Sequence, residues 1–342
     1  MYKNSEKSVS IPWRISVAPM MKWTTRHFRY FMRQITRHTL LYTEMVTGGA
    51  ILHGDREKIL GFDPQEKPLG LQIGGDNPKE LGACARIAED LGFDEVNLNV
   101  GCPSERVQNG NFGACLMTAP EIVAEAVHAM KQSTHLPITV KHRIGVDDQD
   151  DYEFLYRFVR IVSKAGCDRF IIHARKAWLK GLSPKANRTI PPLRYDFVYQ
   201  LKKDFPHLNI VVNGGIHSIE DMRHHLKFVD GVMVGRAAYE NPFLFSLVDQ
   251  VFYGSQAPPP SRFEVIEKMV DYIERWRQKG LYPNHILRHM HGLFAYQRGT
   301  RAWKRYLSEH GHLPGTTGQI LYDACRNIPE EILHERPEIP VE

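Results

Sequence analysis

Apolar residues in about the first 240 positions fall into eight short runs that read as strands. They are ISVAPM (15–20), LLYTEMV (40–46), LGLQIGG (69–75), EVNLNVG (95–101), PITVKHRIG (137–145), RFIIHAR (169–175), NIVVNGG (209–215) and GVMVGR (231–236). Between most of them the apolar spacing switches to a helical period, as in KELGACARIAEDLG (79–92) and APEIVAEAVHAMKQS (119–133). Eight strands alternating with helices predict an α/β fold of the (β/α)8 TIM-barrel type. A doubly wound sheet is the competing architecture, but no G-x-G-x-x-G follows the first strand or any other.

The pattern changes after the eighth strand and its helix. GSQAPPPS, residues 254–261, reads as a linker. Helical periods follow at 262–280, 285–296 and 300–310. In the middle one Ile286, Met290, Leu293 and Phe294 stand at i, i+4, i+7 and i+8. The expected organisation is a catalytic barrel over residues 1–253, the linker, a helical bundle over 262–330 and an exposed, loosely ordered tail over 331–342.

Active sites of such barrels lie at the C-terminal strand ends. Polar and special residues collect there: Pro19, Met20 and Met21 after the first strand, Glu44 on the second, Gln72 on the third. Asn97, Asn99 and Cys102 follow on the fourth, Lys141 and Arg143 on the fifth, His173 and Arg175 on the sixth. The seventh ends in Asn213-Gly214-Gly215 and the eighth in Gly235-Arg236. Burying unpaired polar groups costs roughly 1–3 kcal/mol each, so packing alone does not explain a polar end on nearly every strand.

The 342 residues suit a barrel with an appendage, and their composition is that of an ordinary globular enzyme. No run approaches the roughly 20 apolar residues of a membrane span. MYKNSEKSVSIPWR lacks the apolar core of a signal peptide, so a cytoplasmic protein is expected. Five cysteines, an odd number without a CxxC pair, argue against a disulfide framework and against a zinc site. DDQDD (147–151) reads as a solvated loop and helix start, and no metal is expected.

The glycines after the seventh and eighth strands let backbone N–H groups approach a phosphate, with Arg236 as a charged clamp. Two ordinary glycine turns would look the same. An inward Lys141 needs an anionic or electron-rich partner, such as the N1–O2 edge of a flavin, unless Glu44 or another carboxylate pairs with it. Gln72 and Asn99 could read the pyrimidine edge of that ring. Cys102, between Gly101 and Pro103, is either a proton donor or nucleophile at the barrel mouth or a small buried hydrophobe. His173 could hold a phosphate, orient a substrate, or be a satisfied core histidine.

Charge is uneven although the formal net charge is only +5. From Tyr282 to His312 five basic residues face a single acidic one, Glu309. Arg301, Lys304 and Arg305 share one helix face, with Trp303 among them and Tyr306 directly after. A second basic patch, Lys180, Lys185 and Arg188, follows the sixth strand. Either could be a solvated face or a seat for a nucleic-acid backbone.

APMMKWTTRHFR, LLYTEMVTGGAILHG, NLNVGCPSERVQNGNFGACLM, IIHARKAWLKGLSPK and GVMVGRAAYENP resemble the tRNA-dihydrouridine synthases, in particular their A subfamily, from about Ser16 to Leu307. The resemblance implies a flavin barrel with a C-terminal helical tRNA-binding domain. It implies FMN, reduced by NADPH, and D-loop uridines 20 and 20a as targets. Hydride would pass from flavin N5 to uracil C6, and Cys102 would give the proton to C5. The FMN contacts would be Pro19, Met20, Met21, Gln72, Lys141, His173, Asn213, Gly214, Gly215, Gly235 and Arg236. Asn99 would meet the target uridine, with Ser183, Lys185, Arg301 and Lys304 on the tRNA. No membrane and no stable protein partner is expected. The alternative function is an FMN barrel acting on a small pyrimidine.

Overall fold

The computed structural model describes residues 11–339, so most of the N-terminal segment read for a signal lies outside it. Among the described residues nine parallel strands form the sheet: β1 (Ile15–Val17), β2 (Leu41–Tyr42), β3 (Val46–Thr47), β4 (Leu69–Gly74), β5 (Glu95–Val100), β6 (Ile138–Arg143), β7 (Arg169–His173), β8 (Asn209–Asn213) and β9 (Gly231–Val234). Their order is β1-β9-β8-β7-β6-β5-β4-β2, with β3 also paired to β4. A bridge between Ser16 and Leu40 closes the ring, and Val17 N–H donates to the Leu40 carbonyl at 3.0 Å. This is the (β/α)8 barrel expected from the pattern.

The second expected strand is split. Between β2 and β3 the Thr43 hydroxyl accepts from Gln72 N–H at 3.0 Å and donates to the Glu44 carbonyl at 2.7 Å. A side chain has taken the place of a ladder carbonyl, which frees the backbone to turn at Glu44.

Strand periodicity divides two interiors. Val96, Leu98 and Val100 of β5, with Ile138 and Val140 of β6, face outward into the main core beneath the helices. The helix Pro78–Asp90, capped by Asn77, contributes Leu81, Cys84, Ala85 and Ala88 to that core. Inside the barrel a smaller apolar cluster holds Ala18, Leu40, Tyr42, Ile171, Val211 and Met233, with Trp13 against it. Beside it lie buried polar groups. Glu95 and Arg169, each 3% exposed, form an ion pair. Glu95 also accepts from the Tyr42 hydroxyl at 2.6 Å and the Thr139 hydroxyl at 2.5 Å.

Beyond the barrel, a Ser261–Glu264 capping box opens the helix Arg262–Gln278, and a later helix spans Thr300–His310. The expected helix over 285–296 is helical only at Asn284–Leu287. It continues as tight turns, with His289, Met290 and Leu293 N–H bonding the carbonyls of Ile286, Leu287 and Met290. Gly292 lies within these turns where a larger residue would not fit: a Cβ there would meet the Tyr239 and Glu240 carbonyls at 2.8 and 2.7 Å. Ile286, Met290, Leu293 and Phe294 are buried all the same, beside Trp303, whose indole N–H donates to the Met290 carbonyl at 3.1 Å. The expected tail begins with a further helix, Glu330–His334, which buries Leu333, and Arg336 then pairs with Glu264.

The helical segment docks beside the loop that follows β1. His289 shares hydrogen bonds with Thr25 at 2.9 Å and Tyr239 at 3.1 Å, and Arg288 donates to the Lys22 carbonyl. Trp23 stacks on Tyr239 with ring centroids 4.5 Å apart. Among the described residues no helix is long and apolar enough to cross a membrane.

Removing Arg169 would leave Glu95 charged and unpaired in the barrel. Arg169→Met is expected to lower unfolding free energy by about 3–5 kcal/mol, measured by urea denaturation. A loss below about 1 kcal/mol would show that the pair is not needed to hold Glu95.

Candidate active site

Alternation along β5 and β6 turns Glu95, Asn97, Asn99 and Thr139, Lys141, Arg143 into the barrel. The register sets Asn99 beside Lys141, and Arg143 beside His173 beside Asn213. Neighbouring strands thus bring Gln72, Asn99, Lys141, His173 and Asn213 to one end of the barrel.

The amides there form a connected series. Gln72 Nε2 donates to Asn97 Oδ1 at 2.8 Å, and Asn99 Nδ2 donates to Gln72 Oε1 at 2.9 Å. Asn99 Oδ1 accepts from Gly101 N–H at 3.1 Å and Cys102 N–H at 3.0 Å. The side chain of the last strand residue but one thus ties down the turn that carries the thiol. Cys102 Sγ is half-buried and lies 3.4 Å from Ser104 Oγ. Its carbonyl accepts from Ala114 N–H at 2.9 Å, and Gly113, at φ +82°, admits that approach: a Cβ would stand 2.5 Å from the Cys102 carbonyl oxygen.

Among the described residues, the buried cations Lys141 and Arg143 have no carboxylate among their hydrogen-bond partners. Lys141 Nζ donates to Asn213 Oδ1 at 3.0 Å. Glu44, the candidate counter-ion, accepts from Lys22 N–H instead. Burial, with Arg143 adding to it, pushes the Lys141 ammonium down to about 7. Arg143 donates to the Gly101 carbonyl at 2.9 Å and to the Lys176 and Asn187 carbonyls at 2.9 and 3.0 Å. It therefore joins the cysteine turn to the loop after β7. Burial, then the charges of Arg143 and Lys141, hold His173 well below its ordinary range, so its imidazole is neutral. A site lined this way, with positive charge and neutral amides, suits an anionic or electron-rich group.

The glycine turns add room. Gly214 and Gly215 have φ of +112° and +71°, and a Cβ on Gly214 would meet the His173 ring at 2.6 Å. A Cβ on Gly235 would meet nothing within 4 Å. Arg236 follows at the start of the helix Arg236–Glu240. Pro19, Met20 and Met21 form the loop after β1, where Met21 is 55% exposed.

The remaining candidates lie on exposed surface. Ser183 and Lys185 belong to the loop after β7, which Asn187 organises from its centre. Asn187 is fully buried, accepts from Trp178 N–H at 2.7 Å and donates to the Trp178 carbonyl at 2.9 Å. Arg301, Lys304 and Arg305 are exposed on the helix Thr300–His310, while Trp303 and Leu307 point into the core. Asp151 of DDQDD caps the helix Tyr152–Ser163 by accepting from Phe154 N–H at 2.8 Å.

A family model described as Dihydrouridine synthase (Dus) matches residues 16–329. The chain belongs to the dihydrouridine synthase family. It is 57% identical over 320 residues to the tRNA-dihydrouridine(20/20a) synthase of Vibrio parahaemolyticus, covering 93% of this chain and 98% of the relative. Identity to the protein of the same name from Synechocystis is 59% over 312 residues, 91% and 93% of the two chains. For that of Escherichia coli it is 53% over 320 residues, 93% and 96%. As a dihydrouridine synthase the chain is an oxidoreductase acting on tRNA.

In the sequence of this dihydrouridine synthase Asn97 and Arg143 stand out without a partner to assign to them, whereas Glu95, Thr139 and Asn187 do not stand out. Their signal was a polar residue at an inward position of a strand or at the centre of a loop.

Lys141 in the ligand-free protein is expected to react with a small amine reagent at a rate that rises through about pH 7, where its neutral form appears. Surface lysines should follow only near their ordinary value of about 10.4. Peptide mapping by mass spectrometry separates them. A Lys141 that titrates with the surface lysines would mean that it finds a counter-ion in solution.

Proposed function

We propose that the chain reduces uridines 20 and 20a of the tRNA D-loop to 5,6-dihydrouridine, in the cytoplasm, with FMN as resident cofactor and NADPH as reductant. The observation that carries this reading is the half-buried Cys102 thiol, on a turn tied to Asn99, at a barrel mouth whose buried cations Lys141 and Arg143 donate to an amide and to backbone carbonyls. The relatives' printed name supports the choice of nucleotides.

FMN, if bound here and reduced, would supply hydride to C6 of the base. The other groups belong to this chain. Lys141 offsets negative charge on the ring, with Asn213 holding its amine. Gln72 meets the pyrimidine edge, beside the loop of Pro19, Met20 and Met21. His173, neutral and boxed in by Gly214, meets the phosphate as a donor rather than a second charge. Gly215, Gly235 and Arg236 complete that cradle. Asn99 meets the flipped uracil, and Cys102 gives its proton to C5.

A base reaches such a site only by leaving its stack, at a cost of a few kcal/mol, which a flexible loop of RNA lowers. Arg301 and Lys304 on one helix face, with Ser183 and Lys185 on the loop after β7, hold the RNA backbone while the base is out. The half-buried Tyr306 and buried Trp303 leave that helix face to the cations.

Cys102→Ala is expected to keep flavin content and NADPH oxidation while dihydrouridine formation falls by about 100-fold or more, the scale of a lost proton donor. Liquid chromatography of nucleosides from reacted tRNA measures it. Loss of flavin from that variant, or turnover within about twofold of the unaltered protein, would remove the assignment.

A further inference from the structure

The hydrogen bonds within the barrel form one directed relay, and the geometry points to Thr139 as a positioning residue for Asn99 and the Cys102 turn. The inference rests on the proposed role of Cys102 only for its consequence in catalysis. The relay itself follows from the bonds.

At the lower end stands Glu95. Arg169 can only donate, and an ionised carboxylate can only accept. The single hydroxyl proton of Thr139 therefore goes to Glu95 Oε1, 2.5 Å away. Thr139 Oγ1 can then only accept on its other side, so Asn97 must turn its NH2 toward it, at 2.9 Å. The Asn97 oxygen is thereby left for Gln72 Nε2 at 2.8 Å. The Gln72 oxygen is left in turn for Asn99 Nδ2 at 2.9 Å. The Asn99 oxygen is left for the backbone N–H groups of Gly101 and Cys102.

The upper end dictates the same sense independently, because a backbone N–H can only donate. Reversing the three amides would set donor against donor at the cysteine turn and leave Asn97 and Thr139 oxygen against oxygen. A carboxylate at the bottom of the barrel and two peptide N–H groups at its mouth thus agree on every orientation between them. Thr139 is the only member of the relay that converts an acceptor-only group into a defined acceptor for an amide.

This has a chemical outcome. Asn99 Oδ1 already accepts two hydrogen bonds, so Asn99 has only a second amide hydrogen to offer a ligand. A donor there matches a carbonyl oxygen of a pyrimidine and opposes an amino group. Uracil carries two carbonyls, whereas cytosine carries an amino group in place of one. The relay thus makes Asn99 a donor and holds the thiol beside it. Satisfying buried polar groups alone would require bonds but no particular sense.

Thr139→Val keeps the side-chain shape and removes the hydroxyl, and Thr139→Ser restores it. The alkylation rate of Cys102 by iodoacetamide, read by peptide mass spectrometry without tRNA, is expected to change about fivefold or more in the valine variant. It should return to within about twofold of the unaltered protein in the serine variant. With tRNA, kcat should fall about tenfold while KM stays within about twofold, again rescued by serine. Should the valine variant fail to fold, hydrogen exchange in the unaltered protein decides. Slow exchange of the Gly101 and Cys102 amides is expected, and exchange at open-loop rates would overturn the relay. Equal alkylation in the valine, serine and unaltered proteins would overturn it as well. If none of the three turns over tRNA but alkylation follows the hydroxyl, the relay stands and the proposed reaction fails.

Discussion

Glu95 is a carboxylate closed inside a barrel, and its charge orders much of what lies above it. It holds Arg169 as counter-ion and accepts hydrogen bonds from the hydroxyls of Tyr42 and Thr139. An ion buried this deeply is stable only with its hydrogen bonds complete. The bonds that complete it run upward through Asn97, Gln72 and Asn99 to the backbone of Gly101 and Cys102. The thiol turn is therefore joined to the barrel floor by side chains as well as by its own strand.

Above this chain the balance of charge reverses. Lys141, Arg143 and His173 share the mouth, and their hydrogen-bond partners are amides and carbonyls where they have any. Burial keeps His173 neutral and weakens the hold of Lys141 on its proton. A site of this kind is destabilised when empty and relieved by an anion. That fits the phosphate and the reduced, negatively charged ring of the proposed FMN. Arg143 couples the cysteine turn to the loop after β7, so the two walls of the mouth are held by one guanidinium.

Much of this was legible in the chain itself. All eight apolar runs became strands, because a barrel strand is read from local alternation and its bounding turns. Asn97 and Asn99 stood out as amides on one face of a core strand. The partners of Glu95 did not, since Thr139 and Arg169 lie 44 and 74 residues away and only barrel closure brings them together. The split of β2 from β3 was hidden because the Thr43 hydroxyl imitates a ladder carbonyl. Over 285–296 the apolar spacing correctly marked the buried face. It could not tell helix from successive tight turns, because both return a side chain to the same face every three to four residues.

The most direct measurement is anaerobic. The protein is loaded with FMN, the flavin is reduced, and the complex is mixed with tRNA that lacks dihydrouridine but carries its other modifications. Flavin reoxidation is followed by absorbance, and the RNA by mass. The predicted result is reoxidation together with uracil residues that have gained two hydrogens. Flavin that stays reduced with tRNA bound, yet is reoxidised by a free pyrimidine, would contradict it and assign the barrel to a small-molecule substrate.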